Sequence, residues 1–214
     1  MGVYLYPNNT ETPLKKAYIW EYEEPIFNYS YTFKWKTAAE IWNTWTLLTW
    51  TLQTNSNWVC GSSSTDCRIK VDIPSLADAE KIVISGTVVI NNSASSPNNN
   101  AAGLVLSRGS WWGNGESGYQ VYGSGYGGMR VLMSDWNTGV NWNVVGNATL
   151  GNTYSPTTTI DLVNKTITWV MSWFDNSILT LTDSQISTLR TFTYLVAYIS
   201  VNKSAVQDIS ITIY

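Results

Sequence analysis

From about residue 80 onward the chain alternates apolar and polar side chains with period two, the pattern of strands buried on one face. In TITWVMSW, Ile167, Trp169, Met171 and Trp173 fall on one side, and Thr166, Thr168, Val170 and Ser172 on the other. ISITIY repeats this with Ile209, Ile211 and Ile213 against Ser210, Thr212 and Tyr214. KIVISGTVVI (81–90) and FTYLVAYISV (192–201) are apolar on both faces and predict central strands covered on each side. AAGLVLS (101–107), GYQVYG (118–123), MRVLMS (129–134) and TTTIDLV (157–163) predict further strands. Asn164-Lys165 sits between two alternating runs, where a two-residue hairpin loop fits. NSNWVCGSSSTDC (55–67) and NSASSPNNN (92–100) read as polar loops. Helical signal is confined to PSLADAEK (74–81), TDSQISTL (182–189) and the Trp-dense KTAAEIWNTW, which reads as a short helix leading into a strand. Many short strands and little helix predict an all-β antiparallel sandwich with one or two short helical turns. Residues 1–214 read as a single domain, with residues 1–40 an arm or an outer strand.

Composition narrows the chemistry. Charged residues make up 13% of the chain, with 12 Lys+Arg against 15 Asp+Glu and a net charge of −3. No basic patch suited to phosphates is present, so nucleic acid is not an expected partner. No apolar run reaches the ~18 residues of a membrane span. Histidine is absent, which excludes a Ser-His-Asp triad, a Cys-His pair and a His-rich zinc site. The only cysteines, Cys60 and Cys67, are seven positions apart across a pliable Gly/Ser/Thr/Asp stretch. A local disulfide is the first reading, and it implies an oxidising, extracellular or cell-surface setting; two free thiols are the alternative. MGVYLYPNNTETPLKK lacks the pattern of a signal peptide.

The order KIVISGTVVI, GLVLS, GYQVYG, TTTIDLVNKTITW, TYLVAYISVNKSAVQDISITIY resembles the concanavalin A-like (laminin-G-like) jelly-roll superfamily, of carbohydrate-binding-module type. There such a ladder ends in a short helical turn, an apolar strand and a last strand of D-hydrophobic-S/T-hydrophobic pattern; here these are TDSQISTL, TYLVAYISV and Asp208-Ile209-Ser210-Ile211. The resemblance implies a jelly roll. Its members include lectins, carbohydrate-binding modules, glycoside hydrolases and adhesive domains, so fold alone does not choose the function. No cofactor is expected, although an acid near the start of the last strand holds structural calcium in several such modules, which makes Asp208 a position to check.

SWWGNGESGYQVYGSGYGGM (110–129) puts Trp111, Trp112, Tyr119, Tyr122 and Tyr126 on a glycine-rich backbone. SDWNTGVNWN follows with Asp135, Trp136, Asn137, Asn141 and Trp142. Aromatic faces stack on sugar C–H faces, planar amides and carboxylates meet hydroxyls, and glycine admits a ligand close to the backbone. The competing reading places these rings inside the sandwich. Two matches to G-x-G-x-x-G lack the βαβ frame of a nucleotide site. Glu21 and Glu23 are a carboxylate pair, with Glu40 farther on, but they read better as a solvated acidic turn than as a glycosidase dyad. Residues 80–214 carry only Glu80 and Glu116. Arg108 and Arg130 flank the aromatic stretch and read as surface charges. The expected function is noncatalytic recognition of a polysaccharide or surface glycan. The alternatives are a self-assembling subunit of a filament, surface layer or virion, and a glycoside hydrolase of the same fold.

Overall fold

The computed structural model describes residues 30–49, 52–54, 59–61, 67–90, 101–109, 115–122, 129–135, 139–146, 148–149, 151–172, 176–199 and 205–214. In chain order the first elements are β1 (Tyr31–Trp35), α1 (Ala38–Thr44), β2 (Thr46–Thr49), β3 (Leu52–Thr54), β4 (Val59–Gly61), β5 (Cys67–Asp72) and β6 (Lys81–Val89). Then come β7 (Ala101–Ser107), β8 (Glu116–Tyr122), β9 (Met129–Asp135), β10 (Gly139–Gly146), β11 (Thr153–Tyr154) and β12 (Thr157–Asp161). The last are β13 (Thr166–Val170), β14 (Ser177–Thr180), α2 (Asp183–Leu189), β15 (Tyr194–Ile199) and β16 (Ala205–Ile213). They form two antiparallel sheets. Sheet A runs β14-β13-β12-β6-β16-β4-β3, with β1 also against β16 and β11 against β6. Sheet B runs β10-β9-β8-β7-β15-β5-β2. Among the described residues no helix is long and apolar enough to cross a membrane.

The period-two pattern explains the layers. Ile82, Ile84, Ile160, Ile167, Ile211 and Ile213 of sheet A share one buried cluster with Leu104, Leu106, Leu195, Ala197 and Ile199 of sheet B. Burying each such side chain is worth about 1.5–3 kcal/mol. The large ring pair at the centre is Trp169 against Tyr119, edge to face with centroids 5.6 Å apart, worth about 0.5–1.5 kcal/mol beyond burial. The Tyr119 hydroxyl donates across the gap to the Gly86 carbonyl at 3.4 Å, and burial raises its phenol pKa above the ordinary value. A Cβ on Gly86 would sit 2.6 Å from Leu104 Cδ1 and 3.1 Å from that hydroxyl, so the ring needs glycine there.

Most expected strands are present, and the departures have identifiable causes. β15 is covered on both faces, with Leu195, Val196 and Ala197 all fully buried; the second face of β6 is only half-buried. The stretch 55–67 contains β4, a short strand held between β3 and β16, so it is not wholly a loop. PSLADAEK forms a turn at residues 77–78 with Leu76 and Ala79 buried, and no helix. The β12–β13 connection spans residues 162–165, longer than the two expected, because Leu162 is pulled inward by an N–H bond to the Glu80 carbonyl. Both helices start with a capping box, Thr37 with Glu40 and Thr182 with Gln185. Glu40 is thereby assigned: its carboxylate accepts the backbone N–H groups of Lys36 and Thr37. Part of the aromatic N-terminal region is an outer strand, β1, where Trp35 packs edge-on against Trp45 at 5.1 Å.

Asp161 closes its hairpin by accepting from the N–H groups of Asn164 at 2.7 Å and Val163 at 3.1 Å. The Asn164 backbone bond is the main reason its carboxyl titrates below the ordinary 3.8. A depressed carboxyl stabilises the fold above its unfolded value and loses that contribution as pH falls. Asp161→Asn is therefore expected to lower the melting temperature at neutral pH and leave it nearly unchanged in acid, so that the acid side of the profile of melting temperature against pH flattens. Gly118 has φ +150°, and a Cβ there would lie 2.4 Å from the Leu104 carbonyl oxygen, which is backbone and cannot step aside. Urea unfolding should show Gly118→Ala costing about 3 kcal/mol or more and Gly86→Ala about 1–3 kcal/mol. Equal, near-zero effects would contradict this packing.

Candidate functional site

Sheet B has a second face, turned away from sheet A. On β7, Leu104 and Leu106 enter the main core, while Val105 belongs to a separate small cluster with Val196 of β15, packed by Leu48 and Tyr194. The register extends this outward face in rows: Ser134, Glu116, Ser107, Tyr194 and Asp72 occupy one, and Gly103, Tyr198 and Arg68 another.

Charge on this face is concentrated and paired. Arg68 forms an ion pair with Glu116, both side chains almost fully buried. Burial raises the Glu116 carboxyl above its ordinary range, and the Arg68 charge and hydrogen bond pull it back down. The Arg68 guanidinium also lies over the Tyr198 ring, 5.1 Å from its centroid. Lys70, next along the same face of β5, places its ammonium 3.4 Å from the Tyr194 ring centroid and 3.1 Å from an Asp72 carboxylate oxygen. Breaking a buried ion pair from one side leaves a stranded charge, a cost of about 3–5 kcal/mol.

The pair stands at the foot of the tryptophan loop. The Ser107 hydroxyl donates to the Gly115 carbonyl at 2.8 Å and accepts from the Gly109 N–H at 3.3 Å, clamping the two strand ends between which Trp111 and Trp112 lie. Glu116 follows Gly115 directly, and Gly115 itself has a positive φ of 102°. The Ser107 carbonyl in turn accepts from the Thr193 N–H at 3.1 Å. The loop base is thus tied to β15 by backbone and to β5 by charge.

The ten expected ligand contacts separate when placed on this sheet. Trp111, Trp112, Trp136, Asn137 and Tyr126 lie outside the described residues, and for Tyr122, Asp135, Asn141 and Trp142 the backbone alone is described. Antiparallel pairing nevertheless fixes where each segment leaves the sheet. Glu116, beside Ser107, pairs with Ser134, so the β7–β8 and β9–β10 connections emerge at one end. Asp135 pairs with Gly139 there, closing a hairpin around Trp136 and Asn137. Asn141 and Trp142 follow along β10, opposite Met133 and Leu132. Tyr122 pairs with Ala101 at the other end of β8, about 20 Å from Glu116 at ~3.3 Å per residue. The connection containing Tyr126 also begins there. Tyr119 corrects the expectation outright: it is fully buried between the sheets and cannot extend an exposed platform. Its position in the alternation, two residues from buried Ser117, already favours the inward face.

Sequence reasoning missed Arg68, Lys70, Tyr194 and Tyr198. The available signal was CRIKVD, with cations on alternate residues, beside FTYLVAYISV, whose tyrosines share one parity. Cys60 lies on β4 of sheet A and Cys67 opens β5 of sheet B; their side chains lie outside the described residues, as do Glu21 and Glu23. Asp208 is exposed at a bulge in β16, with φ 49°. No group of three or more His, Cys, Asp or Glu side chains able to hold a metal occurs among the described residues.

No protein-family model matches the chain, and no curated protein matches it in sequence. Its architecture matches solved structures. A peanut lectin in complex with a nonapeptide superposes with TM-score 0.63 at 11% identity, covering 86% of this chain and 97% of that one. A winged bean acidic lectin complexed with methyl-α-D-galactose gives 0.61 at 8% identity, covering 86% and 98%. The carbohydrate-binding module CBM66 of Bacillus subtilis gives 0.53 at 10% identity, covering 78% and 94%. The chain has the concanavalin A-like jelly-roll fold.

Proposed function

We propose that the chain is a noncatalytic carbohydrate-binding domain that recognises a polysaccharide or surface glycan at the end of sheet B where the β7–β8 and β9–β10 connections emerge. One observation carries this reading: a clamped loop base, built from Ser107, Gly115 and the Glu116–Arg68 pair, supports the segment holding Trp111 and Trp112, and the hairpin holding Trp136 leaves the sheet beside it. A buried charge pair under a glycine-flanked loop holds strand ends in one register, as aromatic stacking on a sugar requires. Trp111, Trp112, Trp136 and Trp142 stack on sugar faces, and Asp135 and Asn137 orient the hydroxyls; Asn141, paired with core-buried Met133, stands on the opposite face of β10 from Trp142. Tyr122 and Tyr126, at the far end, belong to a separate contact. The lectin and carbohydrate-binding-module folds support the ligand class, and the burial and pairing of Glu116 support a binding role over a hydrolytic one. Self-assembly through the exposed Tyr31 and Phe33 of β1 is a second reading. The setting is extracellular or at the cell surface, with Cys60 and Cys67 bonded so as to staple the two sheets.

Two outcomes follow. Trp136→Ala and Trp142→Ala should each weaken glycan binding about tenfold or more, equivalent to about 1.4 kcal/mol, while melting as the parent does; wild-type binding by both, or unfolding of both, contradicts the assignment. Titration of unfolded, unreduced protein with a maleimide should find no free thiol, and reduction should release both. Two thiols without reduction would remove the disulfide and the argument for an oxidising compartment.

A further inference from the structure

Among the described residues, the Arg68 guanidinium has more donors than partners. It has five N–H groups; one Nη1 contact goes to Glu116, and the guanidinium carbon lies over the Tyr198 ring. No other described residue accepts a hydrogen bond from it. Its side chain retains 9% of its accessible surface and that of Lys70 retains 19%. Both stand on the outward face of sheet B, two residues apart on β5, which is about 6.6 Å. Val105 and Val196 lie under them as an apolar floor, and Tyr194 and Tyr198 flank them as aromatic walls. The cations outweigh the one buried carboxylate here, because Asp72 is 80% exposed at the rim and is screened by water.

We infer that this face carries a second saccharide contact, in which Arg68 and Lys70 receive the carboxylate of a uronic-acid residue while Tyr194 and Tyr198 bear on its ring. This deepens the glycan-binding reading and rests on it: the tryptophan loops supply stacking, and β5 supplies selectivity for acidic over neutral sugars. A guanidinium already oriented by a buried carboxylate and an aromatic face presents its remaining N–H groups as a fixed fork, the geometry a carboxylate accepts. Lys70, held over Tyr194 and against Asp72, adds a second positive charge beside it. Glu116 is a positioning residue in this arrangement, since it contacts Arg68 rather than the sugar. The selectivity is electrostatic, so it is sensitive to salt, whereas stacking is not.

The test uses the intact chain and two probes of equal length, trigalacturonate and galactotriose, titrated calorimetrically in dilute buffer and in about 1 M salt, where screening acts within roughly 3 Å. Trigalacturonate should bind about tenfold more tightly in dilute buffer, and the advantage should vanish at high salt. Lys70→Gln, which keeps most of the side chain's length at a position 19% exposed, should reduce that preference several-fold while the protein stays folded. Removing Arg68 alone would strand Glu116, so the paired variant Arg68→Met with Glu116→Leu is the cleaner probe; it should abolish the acid preference, read as the ratio of the two affinities in that variant. Equal affinity for the two probes, or an acid preference untouched by both variants, overturns the inference while the tryptophan site stands. Failure of the folded protein to bind either probe or any neutral glycan overturns both.

Discussion

A carboxylate stripped of its water must be matched by a cation or give up its charge, and the outward face of sheet B is organised around that requirement. Glu116 is 1% exposed and Arg68 is 7% exposed, so neither tolerates loss of the other. Because Glu116 begins β8 and Arg68 lies on β5, the pair ties the sheet across β7 and β15. Buried ion pairs are seldom the most stabilising solution for a given volume; apolar replacements often do as well or better. Their advantage here is directional. The pair sets where β8 starts, and Ser107 fixes the opposite strand end against the same turn.

The other face of the same sheet obeys a different constraint. Tyr119 enters the core two residues after Ser117, meets Trp169 edge-on, and reaches the Gly86 backbone on sheet A. Gly118, between them, presses so closely on the β7 backbone that no side chain fits. One short strand thus serves both functions: its odd positions key the sandwich together, and Glu116 and Gly118 shape the surface behind it. This division explains how glycine and aromatic residues are mixed in SWWGNGESGYQVYGSGYGGM. Within that stretch Ser117 and Tyr119 are core, and Gly115 and Glu116 are loop base.

The sequence made the layers legible and the site only partly so. Ile167, Trp169 and Met171, like Ile209, Ile211 and Ile213, alternate cleanly, and a twofold period reports burial directly. β4 escaped notice because a three-residue strand in a Ser/Thr/Asn-rich setting carries no period. The β12–β13 turn was misjudged because Leu162 supplies a buried contact that no turn rule anticipates. Tyr119 was misplaced because aromatic residues near glycine read alike whether they face a ligand or a core. Arg68 and Glu116 were invisible as a pair, being 48 residues apart; only the strand order brings them together. Lone charges in alternating strands are usually solvated, so Glu116 stands out in the sequence only as one of two glutamates after residue 79, and Arg68 not at all.

The central claim is that this jelly roll binds carbohydrate. Its most direct test is the intact, folded chain applied to an array of neutral and acidic glycans, with soluble and insoluble polysaccharides alongside. The account predicts retention by at least one saccharide class with micromolar affinity, about −8 kcal/mol, and stronger retention by the acidic members. A folded protein that passes over every glycan at concentrations far above that range would contradict it.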